Sequence, residues 1–170
     1  MGVDDAINAW PGLLATGLRL GSPATSDGGQ GWLYKFLDKA DATGLRVDFV
    51  AVHYYRAIAD PNDAKGAASQ FYQYLKAVHD RVKRPLWITE WNNGANWTHA
   101  KKPDSNQQRA AIAAMIKMLD ETPFVERYAP YNWVDDTRQL VRKDGSLTLA
   151  GEAYRDKKSP LAYTQAKAGK

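Results

Sequence analysis

The sequence predicts an α/β fold, half of a (β/α)8 barrel built from four parallel βα units. Short runs rich in Val, Ile, Phe, Tyr and Trp alternate with longer stretches whose apolar residues recur at steps of three and four. That is the pattern of repeated βα units around a parallel sheet. Four such runs occur in 170 residues, whereas a closed eight-stranded barrel takes about 250 residues. With 44% hydrophobic and 25% charged residues, the chain has the composition of one globular domain rather than of a disordered or membrane protein.

In chain order, Ile7, Trp10 and Leu14 suggest an opening helix that Pro11 should kink or interrupt. Leu18 to Gly21 reads as the first strand. Trp32, Leu33, Phe36, Leu37 and Ala40 recur at helical spacing, with Gly44 as a left-handed stop. Val47 to Tyr55 is the second strand. Asp60-Pro61 then reads as an N-cap and first helical residue, followed by the stripe Ala68, Phe71, Tyr72, Leu75, Val78 and Val82. Leu86 to Glu90 is the third strand. Ser105 and Gln108 have capping-box spacing before a helix carried by Ile112, Met115, Ile116 and Leu119. Tyr128 to Trp133 is the fourth strand, and Leu149, Ala153 and Tyr154 suggest a short last helix. No internal repeat or linker divides the chain, so one domain is expected over 1–157, with a basic tail at 158–170.

A formal charge of +4 comes from mixed basic and acidic residues, which gives nucleic-acid binding little support. Zero Cys excludes disulfides and thiol nucleophiles and leaves the compartment open. The N-terminal residues lack a basic region followed by an apolar core, and no window forms a membrane span, so a soluble chain without secretion signal or anchor is expected. His53, His79 and His99 are far apart, which speaks against a metal site. Gly28-Gly29-Gln30-Gly31 lacks the ending of a P-loop, and Ser22 sits in no nucleophile elbow. No cofactor is implied.

In a parallel βα array, ligands bind at the carboxyl ends of the strands. These ends carry His53-Tyr54-Tyr55, Thr89-Glu90-Trp91-Asn92-Asn93 and Asn132-Trp133. Glu90 follows an apolar strand with no turn signal, and a carboxylate there is costly unless paired or used. An exposed strand exit, or an ion pair with a residue such as Arg56, is the plain alternative. Trp91, Trp97 and Trp133 offer flat faces suited to the C–H faces of sugars, while Trp10, Trp32 and Trp87 read as packing residues. Only one of Tyr54 and Tyr55 can face Glu90, and a tyrosine donor there would keep it ionised.

Leu20-Gly21-Ser22-Pro23-Ala24, Gly31-Trp32-Leu33, Asp48 to Tyr55, and Pro85-Leu86-Trp87-Ile88-Thr89-Glu90-Trp91 together resemble glycoside hydrolase family 128, whose catalytic core is a clan A TIM barrel. The likeness runs from about Val3 to Tyr154 and places the chain on strands five to eight of that barrel. The resemblance implies cleavage of β-glucan, typically β-1,3, with Glu90 as nucleophile. It implies a cleft lined by His53, Tyr54, Tyr55 and the eighth-strand aromatic Trp133; Trp91, Asn92 and Trp97 join them as binding candidates. The family's acid/base glutamate lies in an Asn-Glu-Pro motif, which these 170 residues do not contain. Retaining glycosidases need two carboxyls about 5 Å apart, and Asp27, Asp135 and Asp136 are the candidates within the chain. Four strands leave two open sheet edges, so a homodimer that completes the barrel is expected, its two Glu90 residues facing each other. A fragment of a longer enzyme is the other form of this reading, and the rival is a carbohydrate-binding half barrel, or an inactive fragment lacking the acid/base glutamate, without turnover.

Overall fold

The computed structural model describes residues 2–157, so the tail expected at 158–170 lies outside the described residues. The elements are α1 (Val3–Leu14), α2 (Gln30–Ala42), β1 (Val50–Tyr54), α3 (Ala64–Val82), β2 (Leu86–Trp91), α4 (Ser105–Asp120), β3 (Val125–Pro130) and α5 (Leu149–Asp156), with a 3-10 turn at Asn96–Thr98. The three strands form one parallel sheet in the order β1-β2-β3. This is the predicted α/β class, with three regular strands where four were expected.

The missing strand is the first. Leu18 to Gly21 forms no ladder; instead the stretch from Gly21 to Thr25 touches β1 and its lead-in at two isolated parallel bridges, Gly21 to Phe49 and Thr25 to Val52. Pro23 has no N–H to give a ladder, and the Ser22 hydroxyl takes over as acceptor for the Ala51 N–H at 3.0 Å. Gly21 is required there, since a Cβ would stand 2.1 Å from the Phe49 ring.

The fourth predicted strand sits upstream of its expected place. Glu126 and Arg127 look too polar for a buried strand, but β3 lies at the sheet edge. There Glu126 accepts from Trp87 Nε1 at 2.9 Å and pairs with Arg19 at 3.0 Å, and Arg127 lies over the Trp87 ring.

Helix boundaries shift in the same local way. α3 is capped by Asp63, whose carboxylate accepts from the Gly66 N–H at 2.8 Å, rather than by Asp60. α4 is capped by Asp104 in a box with Gln107, one residue ahead of the Ser105 and Gln108 pairing. A carboxylate accepts two N–H groups here, from Asn106 and Gln107, which the serine hydroxyl would not improve upon. α1 runs through Pro11 without interruption. Pro11 still accepts from the Ala15 N–H at 3.1 Å, and Trp10 anchors the turn by packing on Phe36 and donating to the Arg46 carbonyl at 2.9 Å. At the end of α2, Gly44 at φ +68° lets Leu45 N–H reach the Ala40 carbonyl, the left-handed stop that was expected.

All the helical packing falls on one side of the sheet. Val50, Val52, Tyr54, Leu86, Ile88, Trp91 and Val125 face the core with Leu33, Phe36, Phe71, Leu75, Ile112, Met115 and Ile116 of the helices. The other face carries Ala51, His53, Trp87, Glu90 and Arg127; in place of a helical layer it meets Phe49, stacked on Trp87, and the small cluster of Tyr55, Ala95, Val134 and Tyr131. Parallel sheets are normally covered on both faces, so this open face is the feature that frames the site.

Candidate functional site

The site is built by a break in strand register. Val52 pairs with Ile88, but the next pair is His53 with Glu90, so Thr89 is an extra residue on β2. Leu86 and Ile88 point into the helical core. Strict alternation would send Glu90 after them, into a place that cannot hold a carboxylate. The bulge at Thr89 turns Glu90 onto the open face and Trp91 into the core.

On β1, alternation needs no correction. Tyr54 is fully buried, stacked on Phe71 with ring centroids 3.9 Å apart and donating to Gln70 Oε1 at 3.1 Å. Of the two tyrosines it is the core residue, and the expectation that it lines the cleft is corrected. His53 and Tyr55 point the other way. Tyr55 Oη donates to Glu90 Oε2 at 2.6 Å, and His53 Nδ1 stands 3.4 Å from the same oxygen. Burial first, and then the bond to Glu90, push the Tyr55 phenol well above its ordinary value. Tyr55 therefore stays a proton donor throughout the physiological range.

Aromatic rings surround this pair. Trp97 meets Tyr55 edge-on with centroids 5.2 Å apart, and Tyr131, not singled out by the sequence, meets it at 6.1 Å and 90°. Trp97 is 54% exposed and Trp133 63% exposed, which leaves indole surface on each accessible to a ligand. Trp91 is different. Its exposure is 0%, and it packs against Phe71 and Tyr128 behind the sheet, so it is a core residue and not a platform.

Asn92 is likewise corrected. Fully buried, it donates to the carbonyls of Tyr131 at 2.9 Å and Arg138 at 3.1 Å and accepts from Gln108 Nε2 at 2.9 Å. Its hydrogen-bonding capacity is spent on tying the loop after β2 to the loop after β3, and none remains for a ligand.

The three aspartates offered as a second carboxyl are engaged elsewhere. Asp27 accepts from Arg56 Nε at 2.7 Å, which also takes Arg56 away from Glu90. Asp135 is buried against Arg138 at 2.6 Å. Burial alone would raise its carboxyl, but hydrogen bonds from Thr137 and Arg138 outweigh that and hold it below the usual carboxylate range. Asp136 accepts from Gln139 at 2.9 Å. Among the described residues no cluster of three or more His, Asp or Glu side chains gathers as a metal site requires.

The chain that carries this carboxylate, its tyrosine donor and the exposed tryptophans is similar to known proteins over most of its length. Residues 1–154 match the family model described as glycosyl hydrolase catalytic core. The chain belongs to that family. Among solved structures it is similar to a subgroup I family 128 endo-β-1,3-glucanase from Amycolatopsis mediterranei, at 36% identity and TM-score 0.78, covering 91% of this chain and 65% of that one. That enzyme has been solved with laminaritriose, and a variant of it with laminarihexaose. The fold, though not the sequence, is shared with an exo-β-1,3-glucanase from Aureobasidium namibiae, at 20% identity and TM-score 0.70. A curated relative, alkali-sensitive linkage protein 1 of Schizosaccharomyces pombe, is 28% identical over 142 residues, which are 79% of this chain and 24% of that protein. The chain thus spans less than two thirds of the length of these relatives. In the sequence, the Thr89-Glu90 and His53-Tyr54-Tyr55 stretches point to the carboxylate and its neighbours, while nothing singles out Tyr131.

Proposed function

We propose that this chain forms half of a β-1,3-glucan hydrolase site, in which Glu90 is the nucleophile. The observation that carries the reading is the Tyr55 hydroxyl held 2.6 Å from Glu90 Oε2 on the open face of the sheet, beside an exposed Trp97. Glu90 would attack the anomeric carbon of a glucosyl unit while a second carboxylic acid protonates the departing oxygen. The same group, now ionised, would then take a proton from the water that releases the sugar. Tyr55 and His53 would hold Glu90 in line, and Trp97 and Trp133 would stack on glucosyl rings. The solved relatives that bind laminari-oligosaccharides support β-1,3-glucan as the substrate class.

The bonds that hold Asp27, Asp135 and Asp136 elsewhere support a second carboxyl from outside this set. A second copy pairing at the open sheet edges, as a homodimer that extends the three-stranded sheet toward a closed barrel, would bring a second Glu90 to the same rim. Uncovered edges of a parallel sheet favour such pairing. The engaged aspartates favour the second reading, a glucan-binding half barrel without turnover.

Reducing-end release from laminarin, measured together with solution mass by light scattering, separates the two. Turnover by a dimer that is abolished in Glu90→Gln supports the hydrolase. Binding without turnover by a stable monomer supports the second reading. Neither binding nor turnover rejects both.

A further inference from the structure

Arg138 is the one guanidinium in the described chain buried to 1% exposure, and its sequence context, Asp135-Asp136-Thr137-Arg138-Gln139, reads as an ordinary solvated loop. Taking this charge out of water is costly, and a well-packed apolar side chain would fill such a place as well. What an apolar residue cannot do is bond its own loop and both ends of a neighbouring one. Arg138 Nη1 donates to Asp135 Oδ2 at 2.6 Å, Nε to the Asn93 carbonyl at 2.7 Å, and Nη2 to the Lys101 carbonyl at 3.1 Å. Asn93 and Lys101 are the two ends of the loop that follows β2, and Trp97 lies midway between them.

We propose that Arg138 is a positioning residue: it clips both ends of the 93–101 loop and thereby sets Trp97 against Tyr55 at the glucan-binding rim. The inference rests on the glucan-binding reading of that rim. Several features fit a loop drawn to a fixed anchor. Gly94 passes the guanidinium at φ +78°, where a Cβ would lie 3.3 Å from Arg138 Nε and 2.8 Å from the Ala57 Cβ. Asn93 donates to Gln108 Oε1 at 3.3 Å, so the same end of the loop is also tied to α4. Inside the loop, Thr98 Oγ1 bonds both the N–H and the carbonyl of Ala95 and closes the 3-10 turn that carries Trp97. With its ends fixed and its middle closed, the loop presents the indole in one place, and Tyr55, which donates to Glu90, is the ring it leans on. The clip also joins the rim's two sides, because Asp135 and Arg138 belong to the loop that bears Trp133.

Arg138→Lys tests this, since lysine keeps the charge beside Asp135 but has no planar fork to reach both carbonyls. Hydrogen–deuterium exchange of residues 93–101 should speed up about tenfold while the amides of α3 and β1 keep their protection. Affinity for laminarihexaose should fall about as far as in Trp97→Ala, and the double variant Trp97→Ala/Arg138→Lys should fall no further than either alone. A residue that only stabilises the fold would lower the melting temperature and leave the affinity of the folded protein unchanged. Unchanged exchange in 93–101, or additive losses of affinity, overturns the proposal. If Arg138→Lys does not fold, Asp135→Asn is read instead; it frees one arm of the guanidinium and should give a smaller effect of the same kind, and no local effect overturns the proposal. Exchange is read without ligand, so failure of the unaltered chain to bind laminarihexaose counts against the glucan reading while exchange alone decides the clip.

Discussion

The Tyr55 hydroxyl reaches Glu90 Oε2 at 2.6 Å only because β1 and β2 are out of step by one residue at Thr89. Tyr55 follows the plain alternation of its strand, and Glu90 departs from that of its own. Their meeting fixes a carboxylate beside a donor whose proton is held firmly by burial and by the bond itself. A hydrogen bond to a charged partner contributes about 1.5–3 kcal/mol, so on the hydrolase reading Tyr55→Phe should lower turnover of laminarin by roughly 10- to 100-fold. Steady-state kinetics checks this; turnover within twofold of the unaltered chain would show that the donor does not serve Glu90.

Much of this arrangement was legible from residues alone, and where it was not the reason is local. Glu90 stood out because a carboxylate ending Leu86-Trp87-Ile88 has to be used or paired. That Tyr55 and not Tyr54 would meet it depended on which pleat came first, which the run Val47 to Tyr55 leaves open. Trp91 reads as a platform in the sequence because its flat ring directly follows Glu90, and a bulge that turns the two to opposite faces has no signature in Thr89-Glu90. Asn92 and Arg138 were hidden for a different reason: polar side chains in loop-like sequence look solvated, and only the folded chain shows them buried and bonded across two loops. Leu18 to Gly21 differs again: two leucines in a short run suggest a strand, but only the stretch from Gly21 to Thr25 meets β1 and its lead-in, at isolated bridges.

Trp91 and Trp97 should now separate cleanly. Trp91 is fully buried between Phe71 and Tyr128, and truncating a buried tryptophan costs about 3–5 kcal/mol. Trp91→Ala should lower the denaturation midpoint sharply or abolish folding, whereas Trp97→Ala should leave the midpoint within a few degrees. Chemical denaturation followed by circular dichroism decides; a small effect at Trp91 would place its ring outside the core.

Trp133, largely exposed on the loop after β3, carries no part of the fold that its removal would disturb. If it stacks on a glucosyl ring, Trp133→Ala should weaken laminarihexaose binding by about 1 kcal/mol, roughly fivefold, the usual size of one aromatic stacking contact. Calorimetry measures it, and an unchanged affinity would remove Trp133 from the rim.

Asp135 gives the stability a defined dependence on acid. Its carboxyl is held below its ordinary value of 3.8, burial opposing and the bonds from Thr137 and Arg138 prevailing. A group with a depressed folded pKa contributes stability above its unfolded pKa and loses it as pH falls through the folded one. The Asp135 contribution should therefore be complete at neutral pH and disappear as the pH drops below 3.8. Asp135→Asn removes the charge but keeps the shape, leaving the Arg138 guanidinium buried without its counter-ion, a change that costs about 3–5 kcal/mol when one partner of a buried pair is lost. The substitution should lower the melting temperature most at neutral pH, and the two curves should converge toward the acid limit. Parallel curves across the whole range, with no convergence, would mean that Asp135 is not the ionised partner that holds Arg138.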